Sequence, residues 1–517
     1  GAPSLGDHFV FFDKILLRLG NGSYEFLIER GSEYLEQRGH FEIENFADDH
    51  KTVQMQRFVD MTKDGWFSGD FDVDRAPKDI QLLMQADDVH VVPLITWSNK
   101  QNSSASQPAP KTILNQFDTT YFDSLMGGEL TASGTTFRVF RLDHPLKLTN
   151  NLAPAGESET ASPALSSATS QKLAAALGSL QWLAAIERAR REQNAWVDAG
   201  AFFARDLPIW IAAGQIDSIQ LANRHLEREG NIDNEAGGWP RDTLLFPKPW
   251  GNGRWSQELY YHLLNCGLRI PPTAGSGSGV NNNPVGYNRL YVNISNPTAT
   301  ERNYSTDPSA DSASVATAAA SSQDKDIEHP MTWDRWWEAL RAGRVIVTNG
   351  PLIRPSVQGQ PPGYVFKADA GQTIELEIGL TLSTRDKIRY MDVLQNGQTV
   401  YSANLDEFKA AAGKLPPVKF TTSGWFLVRA VTENTDTYRY ATTAPYYVEV
   451  GYQPRISRRS AELFLDWTNK RADEIHKAVD AATADLPDNP AAVSKILAAV
   501  DKAKKYWQDL VAKANTD

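Results

Sequence analysis

Asp70, Asp72 and Asp74 alternate with Phe71 and Val73 in the stretch Ser68-Gly69-Asp70-Phe71-Asp72-Val73-Asp74-Arg75. In a β-strand, residues two apart share a face. This spacing therefore predicts three carboxylates on one side and two apolar side chains on the other. Carboxylates that close repel one another and call for a cation, basic partners or water. An all-oxygen donor set suits calcium, magnesium or manganese better than zinc, iron or nickel. Two readings stay open: a site for one hard divalent cation, or an acidic cluster solvated or paired with an arginine such as Arg75. Catalysis would further need an open coordination position and a paired acid or base, and no such constellation stands out.

Other reactive residue types are scattered. His225, in Leu221-Ala222-Asn223-Arg224-His225, follows a strand-like run and could be a ligand or general acid; a hydrogen-bonded framework role is the favoured reading. His90 precedes a buried-strand run and reads as structural, and His262 lies in an apolar helix and reads as packing. Asp217 either caps a turn or lines a mouth. Gly275-Ser276-Gly277-Ser278-Gly279 could turn successive backbone N–H groups toward an anion, but it lacks the Gly-Lys-Ser/Thr ending of a nucleotide loop. A flexible loop of small residues is the plainer reading. Cys266, the one cysteine, sits among Leu263, Leu264 and Leu268 and reads as an inert buried thiol. No Gly-x-Ser-x-Gly elbow or Cys–His pair signals nucleophilic catalysis.

Four regions are predicted to position these groups. Residues 1–59 alternate in strand fashion, including 14–19 and 52–55, and predict a small antiparallel β-domain with a turn at Asn21-Gly22. Residues 60–350 alternate strand-like runs (66–74, 90–96, 137–140, 195–198, 216–222, 290–294, 345–347) with helical ones (from 79, 179–192, 256–266, 332–341). That pattern predicts an α/β barrel with functional groups at the C-terminal strand ends. Low-complexity stretches at 151–170 and 296–326 read as insertions. Residues 351–451 predict a β-sandwich, with a hairpin at Asn396-Gly397, and 452–517 a helical hairpin broken at Pro487 to Pro490.

A chain of 517 residues calls for two to four domains. Its 41% hydrophobic and 22% charged content is that of a soluble globular protein. A net charge of -11 argues against nucleic acid or anionic membranes as partners. No apolar run reaches the roughly 20 residues of a membrane-spanning helix, so an integral membrane protein is not expected. Most of the 14 tryptophans should fill cores, with a minority free as platforms for sugars or proteins.

With the βα region placed, the chain resembles the CehA/McbA-type metallohydrolases of the PHP (polymerase and histidinol phosphatase) superfamily. More narrowly, it resembles a secreted bacterial branch with a β-domain on each side of the barrel. The similar stretches include Gly65-Trp66-Phe67-Ser68-Gly69-Asp70, 90–97, 214–223, 263–279 followed by 283–289, 341–352, 383–388, 423–431 and 455–467. The resemblance implies a distorted (βα)7 barrel flanked by an N-terminal β-domain and a C-terminal β-sandwich. It implies two or three divalent ions at one mouth, activating water against a phosphate or carbamate-type ester.

The family's Asp-x-His-x-His motif falls on Asp70, Asp72 and Asp74, so both histidines are replaced by aspartate. Its Thr-Asp-His motif falls on Thr96-Trp97-Ser98, and its final Asp and His fall in Ala274-Gly275-Ser276-Gly277-Ser278. Glu129, Asp198 and His225 match further ligand positions. The resemblance therefore implies a pseudoenzyme: a binding or scaffold protein, without cofactor, in a secreted, periplasmic or cell-surface assembly. Its partner would be another protein or a second copy, with carbohydrate as a further candidate. The alternative is an ester or phosphoester hydrolase using one calcium, magnesium or manganese ion held by Asp70, Asp72, Asp74, Glu129, Asp198 and His225.

Overall fold

The computed structural model describes residues 4–5, 8–44, 50–99, 112–146, 148, 168–295, 330–482 and 490–517. Of the two low-complexity stretches, 151–167 and 296–326 lie outside these residues. The N-terminal region forms one sizeable hairpin, β1 (Gly22–Ile28) and β2 (Gln37–Ile43). The strands expected at 14–19 and 52–55 do not form. Leu16 and Leu17 face solvent there, with no second layer among the described residues to bury a strand face.

The strands around the aspartates are β3 (Trp66–Gly69), β4 (Val91–Ser98), β5 (Tyr121–Ala132), β6 (Thr135–Phe140), β7 (Trp196–Ala199), β8 (Ser218–Ala222), β9 (Pro272–Ala274), β10 (Arg289–Asn293) and β11 (Val345–Thr348). They are largely apolar and buried on both faces, as strands between two packed layers must be. Parallel pairs (β3–β4, β4–β5, β7–β8, β8–β9) mix with antiparallel ones (β5–β6, β6–β7, β3–β10, β10–β11).

The expected (βα)7 barrel is therefore corrected. The described chain is mostly sheet, dominated by one 16-stranded mixed sheet, with helices after only some strands. One reason is local. Ser133 and Gly134 both take positive φ (43° and 79°), the geometry of a two-residue hairpin turn, so β5 folds straight back into β6 and reverses the strand direction. A second reason is continuity, since β11 pairs with Tyr440–Thr443 and carries the sheet into the C-terminal region.

There the sheet continues through Gly424–Thr432, Ile388–Gln395 and Gln398–Ala403 and faces a three-stranded sheet of Leu352–Val357, Ile374–Ser383 and Lys414–Phe420. Ile353, Leu376, Val393, Phe426 and Val428 belong to the core between them, a β-sandwich-like arrangement. Asn396 and Gly397 take φ 54° and 89° and make the predicted hairpin. Helices Arg458–Ala481 and Pro490–Ala512 pack back on the body. Trp507 stacks on Phe464 and donates its indole N–H to the Pro208 carbonyl at 3.1 Å. Arg471 Nε donates to Asp206 at 2.6 Å, both side chains being buried. No helix among the described residues is long and apolar enough to cross a membrane.

Asp206→Ala would leave the buried Arg471 charge with only the exposed Glu474 carboxylate, 3.1 Å from its Nη1. We expect a loss of about 3–5 kcal/mol, read as a lower urea midpoint, whereas a change within experimental error would refute the anchoring role of this pair.

Candidate functional site

The acidic stretch does not continue β3. The strand stops at Gly69, and the Asp72 N–H donates to Asp70 Oδ1 at 3.0 Å. This local side-chain bond competes with the ladder and turns the chain out of it. The three aspartates consequently do not share one face. Asp70 and Asp72 are fully buried and reach different partners, while Asp74 is exposed. Phe71 and Val73 are buried as expected.

Asp70 faces the small-residue loop. It accepts from Ser276 N (3.0 Å), Ser276 Oγ (2.5 Å) and Gly286 N (2.7 Å). The loop does gather donors for an anion, and the anion is the chain's own carboxylate. Gly275 permits this approach, since a Cβ there would lie 2.4 Å from Asp72 Cβ. Burial raises the Asp70 carboxyl to about 6, with the Ser276 and Gly286 donors working against the rise.

Asp72 lies between two arginines. Arg138 Nη2 donates to Oδ2 at 2.5 Å, and Arg224 grips both oxygens, Nε to Oδ2 at 2.8 Å and Nη2 to Oδ1 at 2.7 Å. Arg224 Nη2 also donates to Glu129 Oε2 at 2.5 Å, and Arg138 stands 3.7 Å from the same oxygen. Burial opposes the Asp72 charge, but the two guanidinium groups outweigh it and hold the carboxyl below the ordinary carboxylate range. Desolvation raises the Asp74 carboxyl, as do the nearby Glu129 and Asp72 charges.

Strand register sets this geometry. Arg138 on β6 is directly opposite Glu129 on β5 and directly opposite Asp198 on β7, so acid, base and acid form one row across three strands. Glu129 thus sits in a strand. Gly128 beside it lets the Trp97 ring lie on the backbone, since a Cβ would come within 2.0 Å of that ring. Asp198 accepts from Ser218 Oγ (2.5 Å), Thr273 Oγ1 (2.6 Å) and Gln220 Nε2 (2.9 Å). Burial raises its carboxyl to about 6. Arg138 Nε and Nη1 and Gln220 Oε1 have no partner among the described residues.

The remaining candidates have framework partners. His225 Nδ1 lies 3.1 Å from Asn223 Oδ1, and its ring stands edge-on to Phe203. Burial, then the Arg224 charge, lowers its pKa to about 4, so it is neutral at neutral pH. His90 bonds Ser68 Oγ at 2.8 Å, and His262 bonds Ser460 Oγ at 2.9 Å. Asp217 pairs with Arg190 and accepts from Val197 N on β7 at 2.8 Å, so it neither caps its own turn nor stands free to line a mouth. Arg75 donates to Ser278 at 3.0 Å rather than to an aspartate carboxylate. Burial pushes the Cys266 thiol up.

The structure brings Asp72 and Glu129 together with Asp74 near enough to feel both charges, places Asp198 behind Arg138, turns Asp70 to the 275–286 loop, and leaves His225 beside Arg224 but bonded to Asn223. Among the described residues, no group of three or more His, Cys, Asp and Glu is arranged to hold a metal ion. Sequence reasoning passed over Arg138 and Arg224. The signal for Arg138 was a lone cation inside the apolar run Phe137-Arg138-Val139-Phe140, which requires a buried acid.

No family model and no curated protein matches the chain. Among solved structures it is similar to the fibronectin(III)-like modules of Clostridium thermocellum CbhA, at 16% identity and a TM-score of 0.13, over 19% of this chain and 49% of that one. That overlap is partial, and no feature of the site rests on it.

Asp72→Ala would leave two guanidinium groups without their common acceptor, and we expect a loss of about 3–5 kcal/mol in urea unfolding. A second test uses pH. The Asp198 carboxyl titrates near 3.8 when unperturbed and at about 6 when folded. The folded state holds the proton across that window, so this group's contribution to stability falls as pH rises through it. His225, lowered from 6.5 to about 4, tilts the opposite way and loses stability as pH falls. Asp198→Asn should therefore gain stability relative to the parent as pH rises from 3.8 to about 6. Parallel stability–pH curves would contradict the raised carboxyl.

Proposed function

We propose that this chain is a non-catalytic binding or scaffold protein, in which two guanidinium groups stand where the metallohydrolases it resembles in sequence gather divalent ions. One observation carries the reading: Asp72 gives both oxygens to Arg138 and Arg224. A divalent cation approaching those oxygens would meet two fixed positive charges, each opposing it by about 8 kcal/mol at 4 Å and an effective dielectric constant near 20. A carboxylate has about four acceptor positions, and Asp72 already uses three. Asp70 spends its oxygens on the 275–286 loop. His225, the remaining base, is neutral and engaged by Asn223.

The partner in this reading is a protein surface within a secreted or surface assembly. Sugar platforms find little support, because 12 of the 14 tryptophans are buried and the other two, Trp239 and Trp333, are half-buried. Trp239 stacks on Trp467 and carries Lys470 over its ring, and Trp333 packs against Trp337.

Calorimetric titration of the purified chain with calcium, magnesium, manganese and zinc tests the proposal. The expected result is no saturable heat and no rise in Tm with any of the four. Stoichiometric metal that disappears in Asp72→Ala would overturn it.

A further inference from the structure

The β1–β2 hairpin and its flanks, residues 22–44 and 50–57, form an arm on the body of the protein. Leu35 N donates to Gln56 O at 2.9 Å and ties the two flanks together. Among the described residues, no apolar side chain of the arm joins a hydrophobic core. What holds the arm is polar. Glu29 pairs with Arg228 at 2.6 Å, Arg57 pairs with Asp88, and Arg385 donates to the Tyr34 carbonyl at 3.3 Å. Part-exposed pairs of this kind contribute little each, which places the arm at the easily opened end of the structure. Among the arm's described residues only Glu33 is buried, at 0% exposure. An acid is a rare choice for the one side chain that plugs a segment into a protein.

Glu33 Oε2 accepts from Met61 N at 3.0 Å, and Oε1 lies 3.0 Å from the Tyr291 hydroxyl, which lies 3.0 Å from Ser32 Oγ. Both direct partners are neutral. Arg57 stands 3.9 Å from Oε2 and is engaged by Asp88 and, at 3.1 Å, by Asp60. Arg289 on β10 is the other cation near enough to feel Glu33. His90, beside Asp88, is lowered by burial to about 4 and stays neutral above that pH. This setting has a place for a proton: the Glu33 O–H can donate to Tyr291, whose own hydroxyl then donates to Ser32. Burial first, then the Asp88 charge, raises the Glu33 carboxyl from 4.5 to about 7.

We propose that Glu33 is a proton-operated latch: protonated, it plugs the arm into the body, and ionised, it lets the arm lift and bares Tyr291 and Asp88 to solvent. Ionised in place, Glu33 would be a buried charge beside the Asp88 carboxylate, whereas lifting returns it to water. The latched form holds the proton across the window from 4.5 to about 7, so latching weakens as pH rises through it and changes little above. The latch does not depend on the scaffold reading.

Hydrogen exchange of the full chain, read by mass spectrometry and corrected for the intrinsic rate at each pH, tests this. The peptide containing Met61, whose N–H donates to Glu33, reports the latch. We expect its opening constant to rise roughly a hundredfold between pH 4.5 and about pH 8, while peptides of β10 stay level. Glu33→Gln, neutral at every pH, should remove the rise and stay latched. Asp88→Asn takes away the neighbouring charge and should move the rise to lower pH. Opening that ignores pH overturns the proposal, as does a pH dependence that survives in Glu33→Gln. A rise at unchanged or higher pH in Asp88→Asn overturns it too, and so does an equal rise in β10, which would mark unfolding of the whole sheet.

Discussion

The Asp72 carboxylate, held between Arg138 and Arg224, is the interaction that the centre of this structure depends on. Three separate pieces of chain meet at it. Asp72 arrives on the irregular turn after β3, Arg138 on β6, and Arg224 on the segment leaving β8. A buried ion cluster of this kind contributes little net stability over an apolar core, because desolvation offsets the attraction. Removing one member is still costly, since it strands the rest. Its effect is on arrangement: only one register places Arg138 between Glu129 and Asp198 and still lets it reach Asp72.

The surrounding polar groups follow the same logic at lower charge. Asp70 organises the 275–286 loop through backbone and hydroxyl donors. Asp198 gathers hydroxyl and amide donors from β8 and β9. Both are buried carboxyls with neutral partners, and both are pushed up to about 6. Asp72, with cationic partners, moves the opposite way. The three carboxylates therefore differ by what surrounds them, not by their own chemistry. Neither arrangement leaves a converged set of free oxygen lone pairs, which a hard cation would need.

Local signals in the chain translated well where a few neighbouring residues decide the conformation. Asn396-Gly397 made its hairpin because both residues tolerate positive φ. Thr332 caps the helix Trp333–Arg341, accepting from Arg335 N, and Gly267 at φ 76° follows the end of the helix Gly251–Asn265. The same reasoning read β3 through to Asp74, because alternation of Asp with Phe and Val looks like a strand. The Asp70 side chain instead captured the Asp72 N–H. Ser133-Gly134 carried a hairpin signal that passed unread, and the barrel expectation failed there.

The sequence by itself determined the element types in most buried runs, the acidic stretch and its apolar interleaving, and the presence of a cation inside Phe137-Arg138-Val139-Phe140. These depend on side-chain period and on the intrinsic cost of burying charge, both local properties. Only the tertiary structure decided that the aspartates part company, that Arg138 and Arg224 close on Asp72, and that the small-residue loop clasps Asp70. Those contacts join residues 66 to 216 positions apart, and their partners are chosen by strand register and by the curl of the sheet. No local spacing encodes that choice, because register is settled only when every strand of the sheet buries its apolar face at once.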